Sequence, residues 1–288
     1  MRLSIYRVGF MSDLPARRTF DRTKDVAKLF GCNTRNVNYR WSIFLRYLDQ
    51  IPKHSRVLDF GAGSLRETFE LSLKGFDVVS LDLSEATMRA YYADYDWTDC
   101  SVQPTLIAGG DLSKVTGEQF SLITAFDVFE HLNDPKELLI PMIDMLKADG
   151  LIFCTVPNRR TLFEILSRIK WKAGLALGHK FNPGEPHIQF NSPAEWRAIF
   201  ESSGLRIVEH EMAIGFFVNT WASLVSMITL PARRLVPRLL PGKLEIDRLP
   251  GVLAGTRVMA ALNAIDRGTE RMLQGLYGWN LFVLSQIK

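Results

Sequence analysis

The run Asp59-Phe60-Gly61-Ala62-Gly63 sets a carboxylate and two positions without a Cβ at the end of an apolar stretch, Val57 to Phe60. Glycines there open backbone angles closed to other residues and let a ligand come close to the chain. A helical pattern, Leu65 to Lys74, follows directly, and the first N–H groups of a helix lack intrahelical partners. Asp82 stands near the end of the next apolar run, Phe76 to Leu83. That spacing, about twenty residues beyond the glycines, suits hydrogen bonds to a ribose. A dinucleotide fingerprint would place a third glycine at position 66, where this chain has Arg66. Asp59 would repel phosphates and attract a cation. The pattern therefore predicts a nucleoside site for a positively charged ligand, although a purely structural turn uses the same two glycines. Two histidines add proton chemistry. His131 follows Asp127 by about one helical turn, and His187 precedes Phe190. An imidazole with a reference pKa near ~6.5 is suited to act as a general base at neutral pH.

Three segments in order, Val57 to Gly63, Asp82, and Asp127-Val128-Phe129-Glu130-His131-Leu132, resemble the class I S-adenosylmethionine-dependent methyltransferases. Within them the chain looks most like the small-molecule branch that shares the "EHL-x-DP" segment, here Glu130 to Pro135. S-adenosylmethionine carries the positive charges that Asp59 favours, a sulfonium and an α-ammonium. The resemblance implies that Gly61, Ala62 and Gly63 approach the amino acid portion of this cofactor. It further implies that Asp82, with Leu83 beside it, meets the ribose and Asp111 the adenine amino group, with Leu112 packed on the ring. Phe126 and Asp127 would then lie near the sulfonium, and Asp59 would support either the ammonium group or the loop. His131 and His187 are the candidate bases for an acceptor hydroxyl or amine. Either histidine can instead serve only to fix its loop.

These residues need a scaffold that gathers them. Strand patterns at 55–60, 76–82, 104–108, 120–126 and 150–156 alternate with helical patterns at 64–74, 85–95 and 135–147. Such alternation implies a parallel sheet covered on both faces, with ligands at the carboxyl ends of its strands. Gly61, Asp82, Asp111 and Asp127 all fall at or just after such ends. Asp134 before Pro135 marks a helix start, and Gly150 is expected to end that helix. Ser192 with Glu195 has capping-box spacing, and Gly204 ends the helix that follows. A sixth strand fits 205–214 and a seventh 280–287. The resemblance implies an α/β, Rossmann-like seven-stranded sheet of order 3-2-1-4-5-7-6 whose last strand is antiparallel.

Around this core, residues 51–214 and 279–288, the sequence offers a helical lid at 1–50 and helical cap insertions at 159–190 and 215–278. Helical spacing appears at 21–31 and 33–50. Tyr39, Arg40 and Trp41 either cover the cofactor or belong to a helix packed on the sheet. No charge interrupts Met212 to Ala232, and Arg233, Arg234, Arg238 and Lys243 follow. The insertion reads as a helical subdomain, a lid over an apolar substrate, a homodimer contact, or a surface for peripheral membrane contact through 215–243. Val252 to Leu276 approximates a second amphipathic helix.

The chain has 288 residues, 47% of them hydrophobic, and a net charge of +4. That is ample for a packed core and gives no strong lead to nucleic acid, for which no reader motif appears. Cys32, Cys100 and Cys154 are far apart and lack metal-ligand spacing, so no metal is expected. The first sixteen residues lack a secretory pattern, and a cytoplasmic location is expected. The acceptor is expected to be a small molecule, lipid-like or a glycan intermediate. The rival readings are a nicotinamide-dependent oxidoreductase and an inactive binding protein of the same fold.

Overall fold

Strands and helices alternate along a computed structural model. It describes residues 39–176, 178, 187–214, 217, 220, 221, 261, 262, 264–266, 268, 269, 272, 276 and 279–287. The helical pattern at 21–31, the start of the one at 33–50, most of the loop before His187 and nearly all of 215–278 lie outside the described residues. The side chains of Tyr39, Arg40 and Trp41 do too.

The strands are β1 (Arg56–Phe60), β2 (Asp77–Asp82), β3 (Thr105–Ala108), β4 (Phe120–Phe126), β5 (Leu146–Pro157), β6 (Leu205–Ile214) and β7 (Trp279–Gln286). They form one sheet in the order β3-β2-β1-β4-β5-β7-β6. β1 to β5 pair in parallel, and β7 runs antiparallel to both neighbours. This is the expected topology, and it brings the carboxyl ends of β1 and β4 side by side.

Alternation along each strand assigns its side chains to two faces. Leu58, Val79, Ile123, Ile152, Cys154 and Phe282 enter one core cluster. Their neighbours Val57, Val78, Leu122, Phe153, Leu281 and Val283 enter the other. The first face is covered by α4 (Lys136–Asp144), through Leu138, Leu139 and Met142, and by α6 (Pro193–Ser202), through Trp196 and Phe200. The second holds α1 (Tyr39–Leu48), through Phe44 and Leu48, and Leu71 of α2 (Arg66–Leu73). Arg46 donates to Glu211, and Tyr47 to Glu209, so α1 is also tied to β6. α3 (Glu85–Asp94) packs Met88 against Ala62, Leu65 and Trp97. α5 (Leu162–Ala176) follows β5. No helix among the described residues is long and apolar enough to cross a membrane.

One expected boundary is corrected. Gly150 does not end a helix: α4 stops at Asp144, and β5 begins at Leu146. Pro141 sits inside this short helix. The Met145 carbonyl then accepts from Phe120 N–H, and Leu146 pairs with Phe120. The next pair is Leu122 with Leu151, so β5 bulges in between. A Cβ at Gly150 would stand 2.8 Å from the Leu146 side chain and 3.0 Å from the Lys147 carbonyl. Glycine is needed there for the bulge to close on itself.

The capping box of α6 forms as expected, with Ser192 Oγ accepting from Glu195 N–H and the Glu195 carboxylate accepting from Ser192 N–H. Ser192→Ala is expected to cost about 1 kcal/mol, read as a lower urea midpoint with an unchanged slope.

Candidate functional site

The loop after β1 is held from below. Gly61 N–H and Ala62 N–H both donate to the Leu81 carbonyl of β2, at 2.8 and 3.2 Å. Gly61 has φ +73° and Gly63 φ +44°, left-handed values that glycine adopts without strain. Asp82 fastens the far side of the loop. One of its carboxylate oxygens accepts from Gly63 N–H and the other from Ser84 N–H, both at 2.9 Å. An acid at the end of β2 thus shapes the glycine turn as well as its own.

An open recess with about 430 Å³ of empty volume lies above this loop. Asp59, Gly61, Ala62, Gly63, Ser64, Arg66, Glu67, Phe126 and Asp127 line it. Most of the expected cofactor residues are therefore brought together. Phe126 meets Phe44 of α1 edge to face, so α1 supports one wall. Among the described residues the recess presents three carboxylates and one guanidinium, a balance that favours a cationic occupant.

Asp59 is buried at the floor, where its carboxylate accepts from Thr68 Oγ1 at 2.6 Å and Thr124 Oγ1 at 2.7 Å. Burial, assisted by the nearby Glu67, pushes its pKa up to about 7, against the lowering effect of the two threonines. Asp127 follows β4 in a left-handed conformation, φ +56°, which Asp tolerates better than most residues. Thr155 Oγ1 donates to it at 2.6 Å. Its residue surface opens to the recess, while its carboxylate is crowded by protein. The crowding raises its pKa; the Thr155 bond and the charges of Arg66, His187 and His131 oppose that.

Behind Asp127 lies a second polar group. Glu130 is fully buried, and among the described residues neither carboxylate oxygen has a hydrogen-bond partner. Its pKa is raised well above the ordinary range, first by burial and then by Asp127. His131 and His187, far apart in sequence, meet with ring centroids 5.0 Å apart. His187 Nδ1 lies 2.8 Å from the buried Glu164 carboxylate. The segment carrying His187 hangs on the 3-10 turn Phe129–His131: Ile188 N–H and Gln189 N–H both donate to the Glu130 carbonyl, at 2.7 and 3.0 Å.

Four expected cofactor residues are outside the lining of the recess, Asp82 among them, which reaches the loop through its bond to Gly63 N–H. Leu83 is exposed, and Leu112 is buried in the core. Asp111 caps the 3-10 turn Leu112–Val115 by accepting from Ser113 N–H at 2.8 Å. That bond holds its carboxyl below the ordinary range. Sequence reading passed over Ser64 and Glu67, and it used Arg66 only as a missing glycine. It also missed Glu164, whose one signal is a lone acid inside the apolar run Leu162-Phe163-Glu164-Ile165-Leu166.

Comparison with known proteins gives a consistent picture. The family model described as "Methyltransferase domain" matches residues 34–210. The chain is 27% identical over 146 residues to the ubiquinone biosynthesis O-methyltransferase of Pseudomonas syringae pv. tomato, covering 50% of this chain. It spans 60% of that relative's length. It is similar in fold to a SAM-dependent methyltransferase from Thiobacillus denitrificans in complex with S-adenosyl-L-homocysteine, with TM-score 0.53 and 17% identity over 96% of this chain and 100% of that one. A SAM-dependent methyltransferase from Geobacter sulfurreducens in the same kind of complex gives TM-score 0.53 and 18% identity, with 96% of this chain and 100% of that one covered.

Proposed function

We propose, from the premise that this chain belongs to the methyltransferase-domain family, that it transfers a methyl group from S-adenosylmethionine to a small-molecule acceptor by in-line displacement. The observation that carries the reading is the recess between the carboxyl ends of β1 and β4, where glycines 61 and 63 and three carboxylates converge. The donor set fits a cationic adenosine ligand and suits a pyrophosphate poorly. The antiparallel β7 and Arg66 tell against a nicotinamide-dependent oxidoreductase.

The sulfonium is already an activated methyl donor, so the protein's task is to align the acceptor and exclude water. Gly61, Ala62 and Gly63 hold the amino acid portion, with Asp59 and Asp127 opposite its positive charge. Asp82, bonded to Gly63 N–H, serves the ribose, and the adenine lies on the β3 side of the recess, towards the turn that Asp111 caps. Phe126, braced by Phe44, walls the methyl position. His131 and His187 serve the acceptor; both stand close enough to Asp127 to affect its ionisation. The relative's O-methyltransferase name supports an oxygen acceptor. The uncharged run from Met212 to Ala232 supports a lipid-like one. We place the enzyme in the cytoplasm, with peripheral membrane contact or a homodimer contact through 215–243.

The test is calorimetry with S-adenosylhomocysteine. Wild type is expected to bind one equivalent. Asp82→Ala is expected to bind about 10- to 100-fold more weakly, because hydrogen bonds to a charged group contribute roughly 1.5–3 kcal/mol each. Folded wild type that fails to bind overturns the reading.

A further inference from the structure

We infer that Glu130, His131 and His187 form a site for one divalent transition-metal ion beside the recess. The ligand atoms they offer all lie within 4.8 Å of one another. Glu130 Oε1 is 4.0 Å from His131 Nε2, a separation that one ion between them can span. Among the described residues, neither oxygen of the fully buried Glu130 carboxylate has a hydrogen-bond partner. A buried carboxylate left in that state is costly, and buried charges are normally paired or bound to metal. A cation between Glu130 and the two imidazoles removes the cost.

The surroundings have the form of a built site. Glu164, itself buried, meets His187 Nδ1 at 2.8 Å. Histidines that ligate a metal through one nitrogen almost always donate the other N–H to a carboxylate or carbonyl. The Nδ1–H bond to Glu164 leaves Nε2 as the ligand atom. The two bonds from Ile188 and Gln189 to the Glu130 carbonyl, and those from Gln189 Nε2 to the carbonyls of Leu132 and Asn133, lock the His187 segment to the turn bearing the other two ligands. These bonds hold the three ligands near one another, and closing separations of up to 4.8 Å onto one ion takes a small movement of the side chains.

Two imidazoles with one carboxylate select a borderline ion such as Zn²⁺, Co²⁺ or Ni²⁺ over Mg²⁺ or Ca²⁺, which prefer oxygen. Three protein ligands leave positions open, as catalytic sites do. The inference deepens the proposed reading: an acceptor hydroxyl in an open position would lose its proton to solvent more readily. His131 and His187 then act as ligands and not as free bases.

The test is titration of the full chain, freed of metal by EDTA and dialysis, with Co²⁺ and separately with Mg²⁺. Expected is one equivalent of Co²⁺ bound, with visible d–d absorption, and at least about tenfold weaker Mg²⁺ binding. Glu130→Gln and His187→Gln should each lose that absorption. Glu164→Gln should weaken Co²⁺ binding by roughly 10- to 100-fold. Each variant is checked by circular dichroism and S-adenosylhomocysteine binding. His131→Gln replaces any variant that does not fold. No saturable Co²⁺ binding by folded wild type, or equal binding by the folded variants, overturns the inference. Co²⁺ binding without S-adenosylhomocysteine binding supports the metal site and overturns the methyltransferase reading; the reverse result does the opposite.

Discussion

Gly61→Ala is expected to weaken S-adenosylhomocysteine binding at least about 100-fold and to lower stability by about 2–5 kcal/mol. Two costs combine. A non-glycine residue at φ +73° carries left-handed strain of roughly 1–2 kcal/mol. The new methyl group would also stand 2.5 Å from Val128 Cγ2, a distance real Cβ contacts do not sustain. Val128 packs against the core cluster around Phe129 and Leu138, so it has little room to yield, and overpacking of this kind costs roughly 1–3 kcal/mol. The loop is the part free to give way, and its movement would break the bonds from Gly61 and Ala62 to the Leu81 carbonyl. The double variant Gly61→Ala/Val128→Ala separates the costs. It removes the clash and keeps the strain, so calorimetry and urea melts should show partial recovery of both affinity and stability. Full recovery would mean that backbone conformation at Gly61 is unimportant; no recovery would mean that Val128 is not the obstacle.

That loop was legible in the sequence because its chemistry is local. An apolar run, two glycines and a helical pattern lie within about twenty residues, and each constrains the next. The strand order was legible only through resemblance, since nothing in the spacing of β5, β6 and β7 states which of them sits in the middle. Gly150 misled for a physical reason: a glycine after a helical pattern suits both a cap and a bulge, and only the pairing of Leu146 with Phe120 decides between them. Asp111 shows the same ambiguity: the resemblance assigned it to adenine, and in the fold it caps the turn at Ser113. The cluster behind Asp127 was partly hidden. His131 and His187 could be named as chemical residues, but their meeting depends on a loop returning from 58 and 59 positions away to hydrogen-bond the Glu130 carbonyl. Burial of Glu130 and Glu164 without full hydrogen bonding is a property of tertiary packing, and spacing does not reveal it.

Asp59 links the floor of the recess to pH, and its replacement by asparagine is expected to reshape the stability profile. Its carboxyl has a pKa of about 7 in the folded chain against an ordinary value of 3.8. A raised folded pKa contributes stability that is complete below the unfolded value and is lost as pH rises through the folded one. The loss thus falls between roughly pH 4 and 7, and a shift of about 3 units corresponds to about 4 kcal/mol. Asparagine does not ionise. Its amide oxygen can accept from one threonine, and its NH₂ can donate to the hydroxyl oxygen of the other, since Thr68 also pairs with Ser80 and Thr124 reaches the Leu58 carbonyl. Urea melts of both proteins from pH 4 to 8 should therefore show the stability difference moving in favour of Asp59→Asn by about 4 kcal/mol across that window. A difference that stays flat would mean that Asp59 ionises normally. Ligand binding supplies the complementary reading. A cation in the recess favours the ionised carboxylate, so S-adenosylhomocysteine binding near pH 7 should release protons from wild type and far fewer from Asp59→Asn. Calorimetry in buffers of different ionisation enthalpy measures that release. Equal release from both proteins would show that the floor carboxylate does not face the positive end of the ligand.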